Sequence, residues 1–256
     1  MLLGCCAPVE FSGDVARFGF DFIELPGKQL HAQTAEEFLG TERTLSAAGL
    51  RCLALNAYCP PEIVIAGAGF RLENATAYAR SLARRASALG VENIGIGSPA
   101  SRNLPEGYDR ALAWSQAVDF VKTTAEEFAK LGITVCVEAV GRCYCNFINT
   151  LDEAIALANA VKLENCKIVA DFYNMEHVGE ADIDLAGYLP MIGHAHISDD
   201  DESPQRRYFL KPQKAALHKL RLGYLYRLGY DHKISLEIDV PPDECLCAES
   251  LDIMRA

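Results

Sequence analysis

Residues 133–149 read ITVCVEAVGRCYCNFIN, an apolar run that stops at the carboxylate Glu138 and passes into a polar loop. Three later stretches repeat the design. KIVADFYNM (167–175) ends its apolar run at Asp171, MIGHAHISD (191–199) carries His194 and His196, and KISLEID (233–239) ends at Glu237. Each run is apolar on successive residues, as expected of a strand covered on both faces in a parallel sheet. Three carboxylates and an imidazole form a hard-leaning donor set, suited to Mn²⁺, Mg²⁺ or Co²⁺, with Zn²⁺ within its range and thiolate-bound structural zinc disfavoured.

Working outward from these runs, strands and helices alternate along the whole chain. Residues 1–6, FDFIELP (20–26, ending at Glu24), LRCLALNAYCPP (50–61) and VENIGIGSP (91–99) read as strands one to four. Helical periodicity follows in 34–50, in 74–90 with Asn74 as N-cap, and from Asp109 to about Leu131. After the Glu138 strand, Thr150 and Glu153 form a capping box for a helix over 149–161. A short helical or irregular piece at 182–190 precedes strand seven. The loop DDDESPQRRYF (199–209), a helix over 212–229, strand eight and a last helix over 244–256 complete the pattern. Eight strands alternating with close to eight helices predict an α/β fold. With 256 residues against about 250 for a typical (β/α)₈ TIM barrel, residues 1–256 are expected to form one such domain. The four side chains sit at the C-terminal ends of strands five to eight, where a closed barrel gathers its functional groups.

The net charge of −11 argues against a nucleic-acid surface, which is held mainly by Lys and Arg. No apolar run approaches the roughly 18 residues of a membrane span. The opening MLLGCC lacks a basic start and reads as strand one, not a leader. The ten cysteines are scattered through strands and helices, which predicts reduced thiols and a cytoplasmic setting. The C-x-C pairs Cys143/Cys145 and Cys245/Cys247 lack the framework of common zinc sites.

The motifs VEA (137–139), FINTLDEA (147–154), DFYNM (171–175), GHAHISD (193–199) and GYDHKISLE (229–237), in this order, resemble the xylose isomerase-like TIM barrel superfamily of sugar isomerases and epimerases, related to ketose 3-epimerases, inosose dehydratases and endonuclease IV. The resemblance implies one divalent metal held by Glu138, Asp171, His196 and Glu237, with Glu138 and Glu237 also moving protons next to a substrate carbonyl. His194 becomes a supporting or substrate-contacting group. The chain departs from the family pattern at three places: Asn174 stands where epimerases usually carry a His, Tyr144 where they often carry a Glu, and Arg206 or Arg207 must substitute from a longer loop for the usual Arg. These residues and Glu24 are the candidate substrate contacts, with Asn56, Tyr58, Ser98 and Arg102 at the ends of strands three and four as further lining. No glycine-rich phosphate cradle accompanies them, so the expected partner is a small unphosphorylated sugar or polyol. Epimerisation, dehydration of a keto-polyol, and a barrel that binds metal and ligand without turnover remain the alternatives. Oligomeric state is open, a homo-oligomer included. The endonuclease IV branch needs further His ligands, and Asn56, Ser98 and Asn174 stand at those positions instead, so DNA repair is not expected.

Overall fold

The computed structural model describes residues 1–203 and 205–255. Pro204, placed by the sequence reading in the loop after strand seven, and Ala256, at the end of the last helix, lie outside them. Eight parallel strands close into a barrel: β1 (Leu2–Cys6), β2 (Phe22–Pro26), β3 (Arg51–Asn56), β4 (Asn93–Ile96), β5 (Thr134–Glu138), β6 (Cys166–Asp171), β7 (Ile192–Ile197) and β8 (Lys233–Glu237). Each is hydrogen-bonded to its sequence neighbours, and β1 closes the ring against β8 in the register Leu2 with Lys233 through Cys6 with Glu237. The expected TIM barrel is therefore the fold.

The helices form where capping and periodicity agree. Thr34 and Thr150 each close a capping box, with Glu37 and Glu153, at the starts of α3 (Ala35–Ala48) and α6 (Leu151–Val161). Asp109 caps α5 (Arg110–Ala129) through Ala111 and Leu112. Gly49 and Gly90 end α3 and α4 (Leu72–Leu89) in the left-handed conformation that glycine adopts without strain. Asn74 does not cap α4: the helix begins at Leu72 after Arg71, so Asn74 lies in its first turn. Two short helices were not anticipated, α2 (Gly27–Ala32) and α7 (Phe172–His177). α1 (Ser12–Phe18), α8 (Ala215–Arg227) and α9 (Glu244–Met254) complete the ring.

One apolar cluster runs from the outer faces of the strands into the helices, with Leu55, Ile94, Val135, Ile168, Ala195 and Leu236 at or below 1% exposure. The floor of the barrel is filled by Phe22, whose ring lies over Gly4 so closely that any Cβ there would overlap it. The β7–α8 connection carries a two-residue antiparallel hairpin, Asp199–Asp200 with Arg207–Tyr208. Its first strand is anchored to α8 by His218, whose Nε2 lies 2.9 Å from the buried Asp199 carboxylate, and by Lys214 at 3.0 Å. No disulfide joins the ten cysteines among the described residues: Cys245 is exposed, Cys143 half-buried and the rest buried. Among the described residues no helix is long and apolar enough to cross a membrane.

Candidate metal centre

Glu138, Asp171 and Glu237 are the last residues of β5, β6 and β8, and His196 is the penultimate residue of β7, in register with Asp171. Parallel pairing thus brings all four to one rim, and one donor atom from each lies within 4.8 Å of the others. Donors sharing an ion at about 2.1 Å each stand no more than about 4.2 Å apart, so a small contraction would complete a coordination shell.

The atoms left available are set by what their neighbours occupy. Asp171 caps α7, and its Oδ1 accepts the backbone N–H groups of Tyr173 (2.9 Å) and Asn174 (3.3 Å), leaving Oδ2 facing inward. Glu24 lies fully buried beneath the site, its two oxygens 2.7 Å from His194 Nε2 and 3.1 Å from His196 Nε2. Ser235 Oγ adds a third donor to it at 2.5 Å. Burial alone would raise the Glu24 carboxyl, but the two imidazoles override it and hold it well below the ordinary range. With Nε2 committed to Glu24, His196 turns Nδ1 toward Glu237 Oε2 (3.1 Å) and Glu138 Oε1 (3.7 Å). Neither His196 Nδ1 nor Glu237 Oε2 has a hydrogen-bond partner of good geometry, although both are buried. An imidazole nitrogen and a carboxylate oxygen 3.1 Å apart, held by ion pairing alone among three carboxylates, are donors a divalent cation would take up, so the residues fit one.

Crowding of charge shows in the titration of the set. Burial is the main cause that lifts the Glu138 carboxyl to about 7, with Glu237 adding to it and His196 opposing. Glu237 is held at about 2, because Arg207 and His196 outweigh its burial. Burial opposes charge on His196, yet Glu237 and Glu24 carry it well above its ordinary value, so a proton and a metal ion would compete for Nδ1. His194, in contrast, is lowered by burial against the pull of Glu24.

The other sequence candidates divide sharply. Arg207 is buried and reaches Asp171 Oδ2 at 2.6 Å and Glu237 Oε2 at 3.0 Å. Arg206, one residue away, points outward and pairs with Asp201 at 2.8 Å. Tyr144 lines a cavity of about 250 Å³ together with Glu138, Glu237, Arg207, Ser98 and Lys28. Asn174 is spent within the protein: its Nδ2 donates to Asp171 Oδ2 (2.5 Å) and Glu138 Oε1 (3.3 Å), and its Oδ1 accepts the Gly141 N–H (2.9 Å). His194 and Glu24 lie below the rim and line neither cavity at the mouth. Asn56 donates to Glu237 Oε1 at 3.4 Å, Arg102 braces the Glu138 carbonyl at 2.6 Å, and Tyr58 is buried among Tyr78 and Phe120. Sequence reasoning missed Lys28 and Asp239, which line both the 250 Å³ cavity and an adjoining one of about 360 Å³. Asp239 stands two residues beyond Glu237, a spacing that returns a side chain to the same face and could have flagged it.

A closed parallel barrel with a carboxylate and imidazole cluster at the C-terminal rim defines the class. The chain belongs to the xylose isomerase-like TIM barrel family, whose model matches residues 13–256. Among curated proteins it is 24% identical over 194 residues to D-psicose 3-epimerase of Agrobacterium fabrum, covering 73% of this chain and just under two thirds (66%) of that relative. The solved D-psicose 3-epimerase of Clostridium cellulolyticum H10 with D-tagatose superposes with a TM-score of 0.77 at 17% identity, over 100% of this chain and 98% of that one. The 3-keto-D-glucoside 4-epimerase of E. coli gives 0.75 at 18%, over 100% and 99%. Sugar epimerases are thus among its relatives.

Proposed function

We propose that residues 1–256 act as one barrel domain that epimerises or isomerises a small unphosphorylated sugar or polyol by proton transfer next to its carbonyl, in the cytoplasm. The observation that carries this reading is the convergence of Glu138, Asp171, His196 and Glu237 on one point, with Glu138 and Glu237 forming part of the wall of a sugar-sized cavity. Those four residues would hold a divalent ion, Mn²⁺ foremost, which when bound supplies the positive charge that stabilises an enolate.

This chain's own groups do the rest. Glu138 and Glu237 both open onto the cavity and are the groups to take a proton from the carbon and return one. Glu24 fixes the orientation of His196, and Asn174 that of Glu138 and Asp171. Tyr144 and Arg207 line the space where the polyol would lie. The test is exchange of solvent deuterium into C–H positions across a panel of ketoses and inososes with Mn²⁺ present. Glu138→Gln and Glu237→Gln should abolish exchange while the fold persists, and a variant that kept the full rate would remove that residue from the proton transfer.

Asn174 favours a second reading. Both hydrogens of its amide are already donated within the protein, leaving none for a substrate oxygen, so the barrel could bind its ligand without turnover. Saturable sugar binding with no exchange across the whole panel would establish that reading.

A further inference from the structure

We propose that Arg207 is a tethered competitor for the cation: its guanidinium pairs with the carboxylate oxygens an ion would take and must withdraw into the cavity when one enters. The inference rests on the reading that Glu138, Asp171, His196 and Glu237 hold a divalent ion.

The argument is one of shared atoms. Arg207 Nη2 lies 2.6 Å from Asp171 Oδ2 and 3.8 Å from Glu138 Oε1, and Nη1 lies 3.0 Å from Glu237 Oε2. Glu138 Oε1 and Glu237 Oε2 are the same oxygens that face His196 Nδ1. Asp171 Oδ2 is the oxygen not taken by the backbone at the start of α7, since Oδ1 accepts two backbone N–H groups; besides Arg207 it is met by the neutral Asn174 amide at 2.5 Å. An ion bonded to these oxygens would therefore sit against the N–H groups of Nη1 and Nη2. A guanidinium cannot shed its proton to relieve the repulsion, so it has to move.

The surroundings allow the side chain to move while the backbone stays. Arg207 N donates to Asp239 Oδ2 at 2.8 Å and its carbonyl accepts the Asp239 N–H at 3.1 Å, which pins the main chain beside β8. The hairpin strand opposite is anchored through Asp199 to His218 and Lys214. The guanidinium itself rests on the Tyr173 ring at 4.8 Å and borders the 250 Å³ cavity, a direct way out. Arg206 cannot take the role, because it is turned outward onto Asp201.

The experiment titrates Mn²⁺ into EDTA-stripped protein by calorimetry, wild type against Arg207→Met. A ligand-competent state populated at one part in ten or less makes the variant bind about tenfold more tightly or better. Equal or weaker Mn²⁺ binding by a folded Arg207→Met would overturn the competition while leaving the metal centre standing. Absence of Mn²⁺ and Co²⁺ binding in both proteins would remove the centre, and the inference with it. Should the variant not fold, crystals of the wild type soaked in Mn²⁺ decide. A guanidinium swung into the cavity supports competition, and one still paired with Asp171 beside a bound ion refutes it.

Discussion

Gly97, the residue after β4, should be the most sensitive neutral position around the centre. A methyl group there would overlap Glu138 Oε2 outright and come within 3.2 Å of the same side chain's Cδ and 3.7 Å of Val140 Cγ1. Carbon atoms prefer about 3.5–4.0 Å, so the carboxylate must retreat. Its freedom to do so is small: Oε1 accepts from Asn174 at 3.3 Å, and the Glu138 carbonyl is braced by Arg102. Overpacking of this kind costs about 1–3 kcal/mol, and because the clashing group is a side-chain tip we expect the lower half of that range for Gly97→Ala. That corresponds to a melting temperature lower by roughly 2–8 °C for a chain of this size. The larger effect falls on the centre, since swinging Glu138 away removes one of four donors; Mn²⁺ affinity should drop about tenfold or more. Gly95, two residues earlier on β4, is the matched control, because a Cβ there meets nothing nearer than Val169 Cγ2 at 3.6 Å. Thermal melts and Mn²⁺ titrations of the two alanine variants settle the matter. A Gly97→Ala protein indistinguishable from Gly95→Ala in both would refute the reasoning.

Saturating Mn²⁺, at about 100 times its dissociation constant, should stabilise the stripped protein by about 2.7 kcal/mol, read as a rise in melting temperature; an unchanged melt would count against the centre. Asp199 is opposed by burial, but His218 leads the groups that hold its carboxyl at about 2. Its folded pKa is thus depressed, so its contribution is fully present above pH ~4 and lost as pH falls toward 2, about 2 kcal/mol in all. Urea melts of Asp199→Asn across that window should show a flatter acid limb than the wild type, and parallel limbs would contradict the assignment. Thr150→Ala removes the acceptor for the Glu153 N–H at 3.2 Å and should cost about 1 kcal/mol without altering Mn²⁺ affinity.

The barrel and the convergence of Glu138, Asp171, His196 and Glu237 on one rim were legible because each apolar run carries a metal-compatible side chain at or next to its end, and parallel register does the rest. Glu24 reads as one more strand end, like the carboxylates of the later strands. In fact β2 continues to Pro26, which pairs with Asn56, and this sets Glu24 two residues deeper, under the imidazoles. Arg206 and Arg207 cannot be told apart in a loop of unknown shape. The pairing of Asp200 with Arg207 creates a two-residue alternation that sends one inward and one outward. Asn174 could be placed by its distance from Asp171, but not its commitment to Gly141, which depends on α7 starting at Phe172.

The distribution of sulfur has a practical consequence. Native alkylation should mark Cys245 first and Cys143 more slowly, while the remaining eight thiols stay shielded until the chain opens. Those eight include Cys5 and Cys6 in β1, Cys52 in β3, Cys136 in β5, Cys166 in β6 and Cys247 in α9. The order in which tagged peptides emerge under mild urea would therefore report, stave by stave, where the cylinder first comes apart.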